Sequence, residues 1–324
     1  MMTTQSRPRR SFRKGSLVIT VERKHPTFFA EVKGVDISGP LAPDVFAEIL
    51  TAFHENAVLV FRDQPLTHQQ HIDFSANFGP LFEVTNYHRP EEERALPLKL
   101  TDISNIDHAG EIQSDDNHQR RFNLGNRIWH TDNTFKHVPA RCSLLYATEV
   151  PSRGGETEFA DMRAAYDSLP QGRKEEIEDL VVAHSIVFSR QRAGYDEYTD
   201  GAIDELKSVE QVLVRHHPAG RKALYLASHA SHVIGWPEEK GRALLDELTE
   251  FAIQPQFTYA HTWRVHDLVI WDNRCTMHRS RLYPDTTERR VMQRTTVSDE
   301  MNSVERRATE VAGTRWQRFQ ETVM

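Results

Sequence analysis

Short apolar runs separated by turns constrain this chain more than any other feature. Ala57–Phe61 (AVLVF), Leu144–Val150, Thr157–Ala160, Val212–His216, Ala223–Ala227, Phe257–Trp263, Leu268–Trp271 and Val291–Val297 each read as a strand. Leu17–Val21 and Phe28–Ile37 add an early hairpin broken at His25-Pro26, and Leu98–Ile103 a further strand. Helical periodicity is confined to Ala42–Phe53, to Thr67–Phe78 with Thr67 as N-cap and Gly79 as stop, to Asp161–Leu169, Arg173–Ala183 and Pro237–Ile253. Asp107–Arg121 and Gln191–Val209 are polar and read as long loops, of the kind that line binding sites. The expectation is a mostly β domain with peripheral helices. It spans residues 17–300, after a disordered basic tail (1–16) and before a C-terminal helical extension (301–324).

Several function classes are disfavoured. Glycines form neither GxGxxG nor a P-loop, against a nucleotide fold. No apolar run of ~18 residues is present, so no membrane helix is expected. Net charge is −7, from 40 basic and 47 acidic residues, against a nucleic-acid partner. Two cysteines, Cys142 and Cys275, suit a reducing compartment, and a cytoplasmic protein is expected.

Seventeen histidines include two His-x-Asp pairs. His71-Ile72-Asp73 lies in a helical pattern, where residues two apart diverge by about 200°, so that pair reads as core and surface filler. His130-Thr131-Asp132 lies in IWHTDNTF, which alternates like a strand, so imidazole and carboxylate converge on one side. His278, beyond the strand Leu268–Trp271 and the turn Asp272-Asn273, is the candidate third ligand. Two histidines and a carboxylate leave open positions on a non-haem Fe(II) ion. Such a metal can chelate a 2-oxo acid, and a dicarboxylic co-substrate needs an arginine at its far end. On Glu288–Thr295, Arg290, Met292 and Arg294 share one strand face, and Arg289, Val291 and Gln293 the other. Cys275 reads as a packed thiol, His229 and His232 as candidates for a place near a pocket, and the Glu175–Asp179 acids as a solvated helix face.

The segments WHTDNTF, GGETEFADMRAAYDSLP (Gly154–Pro170), WDNRCTMH (Trp271–His278) and RRVMQRTT (Arg289–Thr296) resemble the taurine and phenoxyacetate-herbicide dioxygenases, in the same order, from about Leu17 to Glu300. The resemblance implies a double-stranded β-helix (a cupin-like jelly roll), Fe(II), 2-oxoglutarate and O2. It implies His130, Asp132 and His278 as catalytic iron ligands, and Thr157 and Arg290 as partners of the 2-oxoglutarate distal carboxylate. It implies Arg294 at the substrate's anionic group, with Tyr87, Asn126 and Trp129 beside the substrate. Val84 stands where the taurine enzyme has a histidine, which disfavours taurine. HASHV (His229–Val233) and ISN (Ile103–Asn105) resemble the phenoxyalkanoate enzymes more closely. The expected activity is hydroxylation of a small anionic substrate, an aryloxyalkanoate-like carboxylate or a sulfonate, with ether cleavage where the carbon bears an ether oxygen, releasing succinate and CO2. A homo-oligomer is implied as well. Alternatives are a hydroxylase of an amino-acid or natural-product intermediate, a zinc hydrolase, and a non-catalytic metal-binding protein on the same fold.

Overall fold

The computed structural model describes residues 19–84, 96–107, 109–115, 117–195 and 207–312. The expected basic tail, Tyr87 and the end of the C-terminal extension lie outside the described residues.

Burial on both faces explains the AVLVF run. Val58–Phe61 sits inside a seven-stranded sheet, ordered Thr20–Arg23, Ala30–Lys33, Val58–Phe61, Leu268–Asp272, Ala140–Glu149, Val291–Ser298, Thr101–Asp102. All neighbours are antiparallel except Ala30–Lys33 and Val58–Phe61, which run parallel because the helix Pro43–Asn56 carries the chain between them. Leu59, Phe61, Leu144, Tyr146, Leu268 and Ile270 pack with Ile49, Phe53, Phe74 and Phe78 of the helical layer. The alternate residues Val58, Val60, Leu145, Val269, Trp271 and Met292 pack with Phe159 of a three-stranded sheet, Thr258–His261, Thr157–Asp161, Thr276–Ser280. Behind that small sheet, Ala160 and Met277 join Leu244, Leu245 and Leu248 of the helix Glu238–Ala252. The layers are therefore helices, large sheet, small sheet and an outer layer of helices and short strands. Polar side chains on the inner faces of the two sheets end up between them.

Several expected elements change. The helix expected over Arg173–Ala183 runs only over Gln171–Ile177. Val181–His184 is instead the central strand of a second three-stranded sheet, between Ala230–Val233 and Val209–Val212. Adjacent β-branched Val181 and Val182 pack better on a pleated surface than on a helix. The strand expected over Leu98–Ile103 contracts to Thr101–Asp102. Short helices overlap the ends of the polar stretches, His118–Asn123 closing the first and Ile186–Arg192 leading into the second, capped by the Asn117 and Ser185 side chains. Residues 303–312 form a helix whose first residue, Ser303, accepts from the Val212 amide at 3.0 Å. No helix among the described residues is long and apolar enough to cross a membrane.

The helical reading of Thr67–Phe78 is met by His68–Ala76, closed by a Thr67/Gln70 capping box. His71 is fully buried while Asp73 faces solvent. Burial pushes the His71 imidazole down to about 3. A folded-state value below the ordinary ~6.5 means that the unfolded chain takes up a proton the folded chain refuses. The associated stability is present above about pH 6.5 and is lost as pH falls towards 3. His71→Gln is expected to lose about 2 kcal/mol less than wild type between pH 7 and pH 5 in urea unfolding. Equal losses would show that His71 is not held neutral.

Candidate active site

Two segments meet between the sheets. His130 and His278 form a single antiparallel bridge, with His130 N–H donating to the His278 carbonyl at 3.0 Å and His278 N–H to the His130 carbonyl at 2.8 Å. The strand expected over IWHTDNTF is no longer than this bridge, because a turn begins at Asp132 and Asn133 takes φ +52°. The short extended stretch is enough to aim His130 and Asp132 at one point. It also turns Trp129 the other way. Contrary to the expectation of a place beside the substrate, Trp129 lines neither cleft; it sits in the outer core with Met277, under the Arg279 guanidinium at 4.8 Å.

The His130, Asp132 and His278 donor atoms lie within 4.8 Å of one another. His130 Nε2 is 3.9 Å from Asp132 Oδ1, and His278 Nε2 is 3.7 Å from Oδ2, beyond hydrogen-bond reach. The Ile128 carbonyl, 2.8 Å from His130 Nδ1, assigns the proton to Nδ1 and frees Nε2. Burial holds the His130 imidazole down to about 4 and His278 well below its ordinary range. Burial alone would push the Asp132 carboxyl up, but the Arg294 guanidinium 2.6 Å away, the two histidines and the Ser143 hydrogen bond together outweigh it and hold Asp132 well below the carboxylate range. Two neutral imidazoles and one ionised carboxylate are the protonation states that a divalent metal requires. The donor set therefore fits the expected iron.

The sequence did not reveal how Asp132 is held. Ser143 donates to Asp132 Oδ2 at 2.7 Å, Asn273 Nδ2 donates to Ser143 Oγ at 2.9 Å, and Asn273 Oδ1 accepts from the Asp132 amide at 3.3 Å and from Trp271 Nε1 at 3.1 Å. This gives WDN a role: its tryptophan and asparagine anchor a carboxylate far away in sequence. The aspartate between them does other work. Asp272 accepts from Arg274 at 2.9 and 2.6 Å and from His217 at 3.0 Å, which ties the hairpin Val214–Leu224 to the base of the His278 strand. His217, Asp272 and Cys275 also cluster within 4.8 Å. Arg274 already satisfies that carboxylate, and burial pushes the Cys275 thiol up, so the cluster is structural.

A cleft on one side of the His130, Asp132 and His278 cluster is lined by Thr157, Arg290, Asn105, Tyr283, His130 and His278. Gly154 and Gly155, both left-handed, make the turn that brings Thr157 there; a Cβ on Gly154 would lie 2.4 Å from the Leu282 carbonyl oxygen. Trp263 Nε1 donates to Thr157 Oγ at 3.0 Å, so the threonine proton is left to donate into the cleft. Arg290 is held by its amide on Asn105 Oδ1 at 2.8 Å and by Nε on the Gly155 carbonyl at 3.3 Å. Burial pushes its guanidinium down to about 10. Buried Arg163, Arg215 and Arg274 have carboxylates at 3.1, 2.5 and 2.6 Å. Among the described residues no carboxylate pairs with Arg290. A second cleft, lined by Phe82, Phe122, Phe135, Lys136, Arg190 and His229, shares His130, Asn126 and Arg294 with the first.

Because Ser143 orients one oxygen of Asp132, Ser143→Ala is expected to weaken Fe(II) or Mn(II) binding about 10- to 100-fold in an equilibrium titration. Unchanged affinity would remove Ser143 from the site.

Known proteins carry the same arrangement of sequence. The family described as "Taurine catabolism dioxygenase TauD, TfdA family" matches residues 20–296. An alpha-ketoglutarate-dependent 2,4-dichlorophenoxyacetate dioxygenase of Burkholderia sp. (strain RASC) is 42% identical over 86% of this chain and 94% of its own. An (S)-phenoxypropionate/alpha-ketoglutarate-dioxygenase of Sphingobium herbicidovorans is 35% identical over 82% and 90%. The crystal structure of AAD-2 in complex with Mn(II) and N-oxalylglycine superposes with a TM-score of 0.80 at 43% identity, covering 88% of this chain and 98% of that one. The chain belongs to the TauD, TfdA family of dioxygenases.

Proposed function

We propose that this chain is an Fe(II)/2-oxoglutarate-dependent oxygenase that hydroxylates an aryloxyalkanoate or a closely similar small organic anion. The observation that carries the reading is Arg290, a buried cation without a carboxylate among the described residues, beside a hydroxyl with a proton to give and across one cleft from a metal-ready cluster. Leaving such a charge unpaired is costly, and a dicarboxylic co-substrate supplies the missing anion. In this reading the large and small sheets are the two faces of a double-stranded β-helix that opens around the co-substrate.

His130, Asp132 and His278 would hold the iron. With 2-oxoglutarate and O2 bound, iron supplies the oxidation that turns 2-oxoglutarate into succinate and CO2 and hydroxylates a substrate C–H bond. The protein's part is positioning. Arg290 and Thr157 grip the distal carboxylate, and their frame of Asn105, Gly155 and Trp263 fixes the co-substrate's direction. Ser143 and Asn273 keep Asp132 turned to the metal. Arg294 and Asn126 stand at the boundary of the two clefts, where the substrate's reacting carbon has to arrive. Hydroxylation next to an aryl ether oxygen gives a hemiacetal. That collapses to the phenol and a 2-oxo acid, so the carbon–oxygen bond breaks without a hydrolytic residue.

The test is succinate and phenol release from 2-oxoglutarate and a panel of aryloxyalkanoates, with Fe(II), ascorbate and air. Both products are expected in equal amounts. Succinate matched by a hydroxylated product but no phenol would leave hydroxylation and remove ether cleavage. Phenol released equally without oxygen would favour a zinc hydrolase. Arg290→Leu is expected to raise the 2-oxoglutarate KM by 100-fold or more, roughly the loss of a buried charged hydrogen-bond pair, and Thr157→Ala by about 10-fold. His130→Ala should abolish turnover.

A further inference from the structure

Arg294 cannot give itself wholly to a substrate anion. Its Nη1 lies 2.6 Å from Asp132 Oδ1, so an anion meeting Arg294 shares it with a carboxylate. The second cleft, whose lining also includes Asp132 and Glu83, holds a cation, Lys136, that neither carboxylate reaches. We infer that Lys136 is a specificity-determining residue, the ionic partner of the substrate's carboxylate or sulfonate in the cleft that Arg290 does not line. The inference rests on the function proposed above and names the residue that reads the substrate's charge.

Lys136 is half-buried, four residues past Asp132, on the turn that leaves the metal cluster. Its backbone is fixed at both ends, with N–H on the Asn133 carbonyl at 3.0 Å and the carbonyl accepting from Gln211 Nε2 at 3.2 Å. Its Nζ sits 4.5 Å from the centroid of the Phe82 ring. Phe82 is pinned in turn by its amide on the Thr296 carbonyl at 2.8 Å. The ring holds the ammonium in place by its quadrupole but brings no countercharge. Among the described residues no carboxylate lies within ion-pair distance of Nζ. Burial and the nearby Arg294 both disfavour the ammonium, and the charge of an arriving anion offsets both.

The other cations of this cleft are less suited. Lys99 is exposed at its edge. Arg190 lies over the Phe122 ring at 4.2 Å as part of the wall. With Phe122, Phe135 and Ile186 in its lining, the cleft offers apolar surface and, in Lys136, a half-buried positive charge that no described carboxylate pairs. That combination matches an amphipathic acid: an apolar body ending in a carboxylate or sulfonate.

The test uses anaerobic calorimetric titration of the Fe(II)·2-oxoglutarate protein with phenoxyacetate, with uncharged phenoxyethanol, and with butanesulfonate, together with steady-state kinetics. Lys136→Gln is expected to weaken phenoxyacetate binding 10- to 100-fold, as for loss of a hydrogen bond to a charged group. KM should rise in step while kcat changes less than about 3-fold, and Lys136→Arg should recover most of the affinity. Phenoxyethanol should bind Lys136→Gln and wild type alike. Unchanged phenoxyacetate binding, or equal weakening of phenoxyethanol, overturns the assignment but leaves the oxygenase reading standing. If the wild-type protein neither binds nor turns over any aryloxyalkanoate, the substrate reading falls by itself. Butanesulfonate then judges Lys136: binding that needs the lysine charge supports it, and binding that ignores the charge, or no binding, overturns it.

Discussion

Two backbone hydrogen bonds hold this site together. The His130–His278 bridge joins a loop from the first half of the chain to the edge of the small sheet near its end. Both imidazoles inherit their positions from main-chain geometry, which is stiffer than any side-chain contact. The bridge is short for a reason. A longer strand would carry the chain on along the sheet edge. The turn at Asp132 instead takes it away, and Lys136 with it, into the wall of the second cleft. Thr131 locks the corner by donating to the Leu226 and Thr276 carbonyls at 2.8 and 3.0 Å.

The buried charges beside this bridge, Asp132 and Arg290 among them, stand where two sheets would otherwise pack apolar faces. Unpaired charge there is expensive, so each ion needs an account. Asp132 is answered by Arg294, and structural arginines elsewhere by their own aspartates. Arg290 is the exception in the first cleft, and Lys136 the partly exposed exception in the second. An enzyme that must take up two anions is expected to carry two cations waiting for them.

Patterns of period two carried most of what was legible in the sequence. They placed Arg290, Met292 and Arg294 together on an inner face, and the structure puts Met292 in the inter-sheet core and both arginines at the cleft, while Gln293 and Thr295 reach His68 and His71 on the other side. They also separated His130-x-Asp132 from the helical His71-x-Asp73. The same alternation, followed one step further, would have turned Trp129 into the core. Ser143 was hidden because a lone serine in an apolar strand has no periodic signature; only its contact with Asp132 reveals it. The helix expected at Arg173–Ala183 failed where tertiary pairing with Val209–Val212 overrode a local pattern. Lys136 escaped notice because nothing in a sequence says whether a lysine finds a partner.

The two clefts are built from different material, and that bears on what each can do. Thr157, Arg290 and Trp263 stand on or beside paired strands, framed by Asn105 and a glycine turn whose geometry tolerates no side chain. A co-substrate held by such parts is bound in one direction, and small changes there are felt at once. Beyond Thr101, Arg294 and Thr296, which stand on strands, the second cleft takes Phe82 and Val84 from a connection, Phe135 and Lys136 from a turn, and Ile186 and Arg190 from a seven-residue helix. Connections of this kind accept substitution without disturbing a sheet. On the proposed function, selection among organic acids can therefore change at Lys136 and its neighbours while the Arg290 side and the His130, Asp132 and His278 cluster keep one chemistry. The shared Asn126 and Arg294 are where the two halves have to agree.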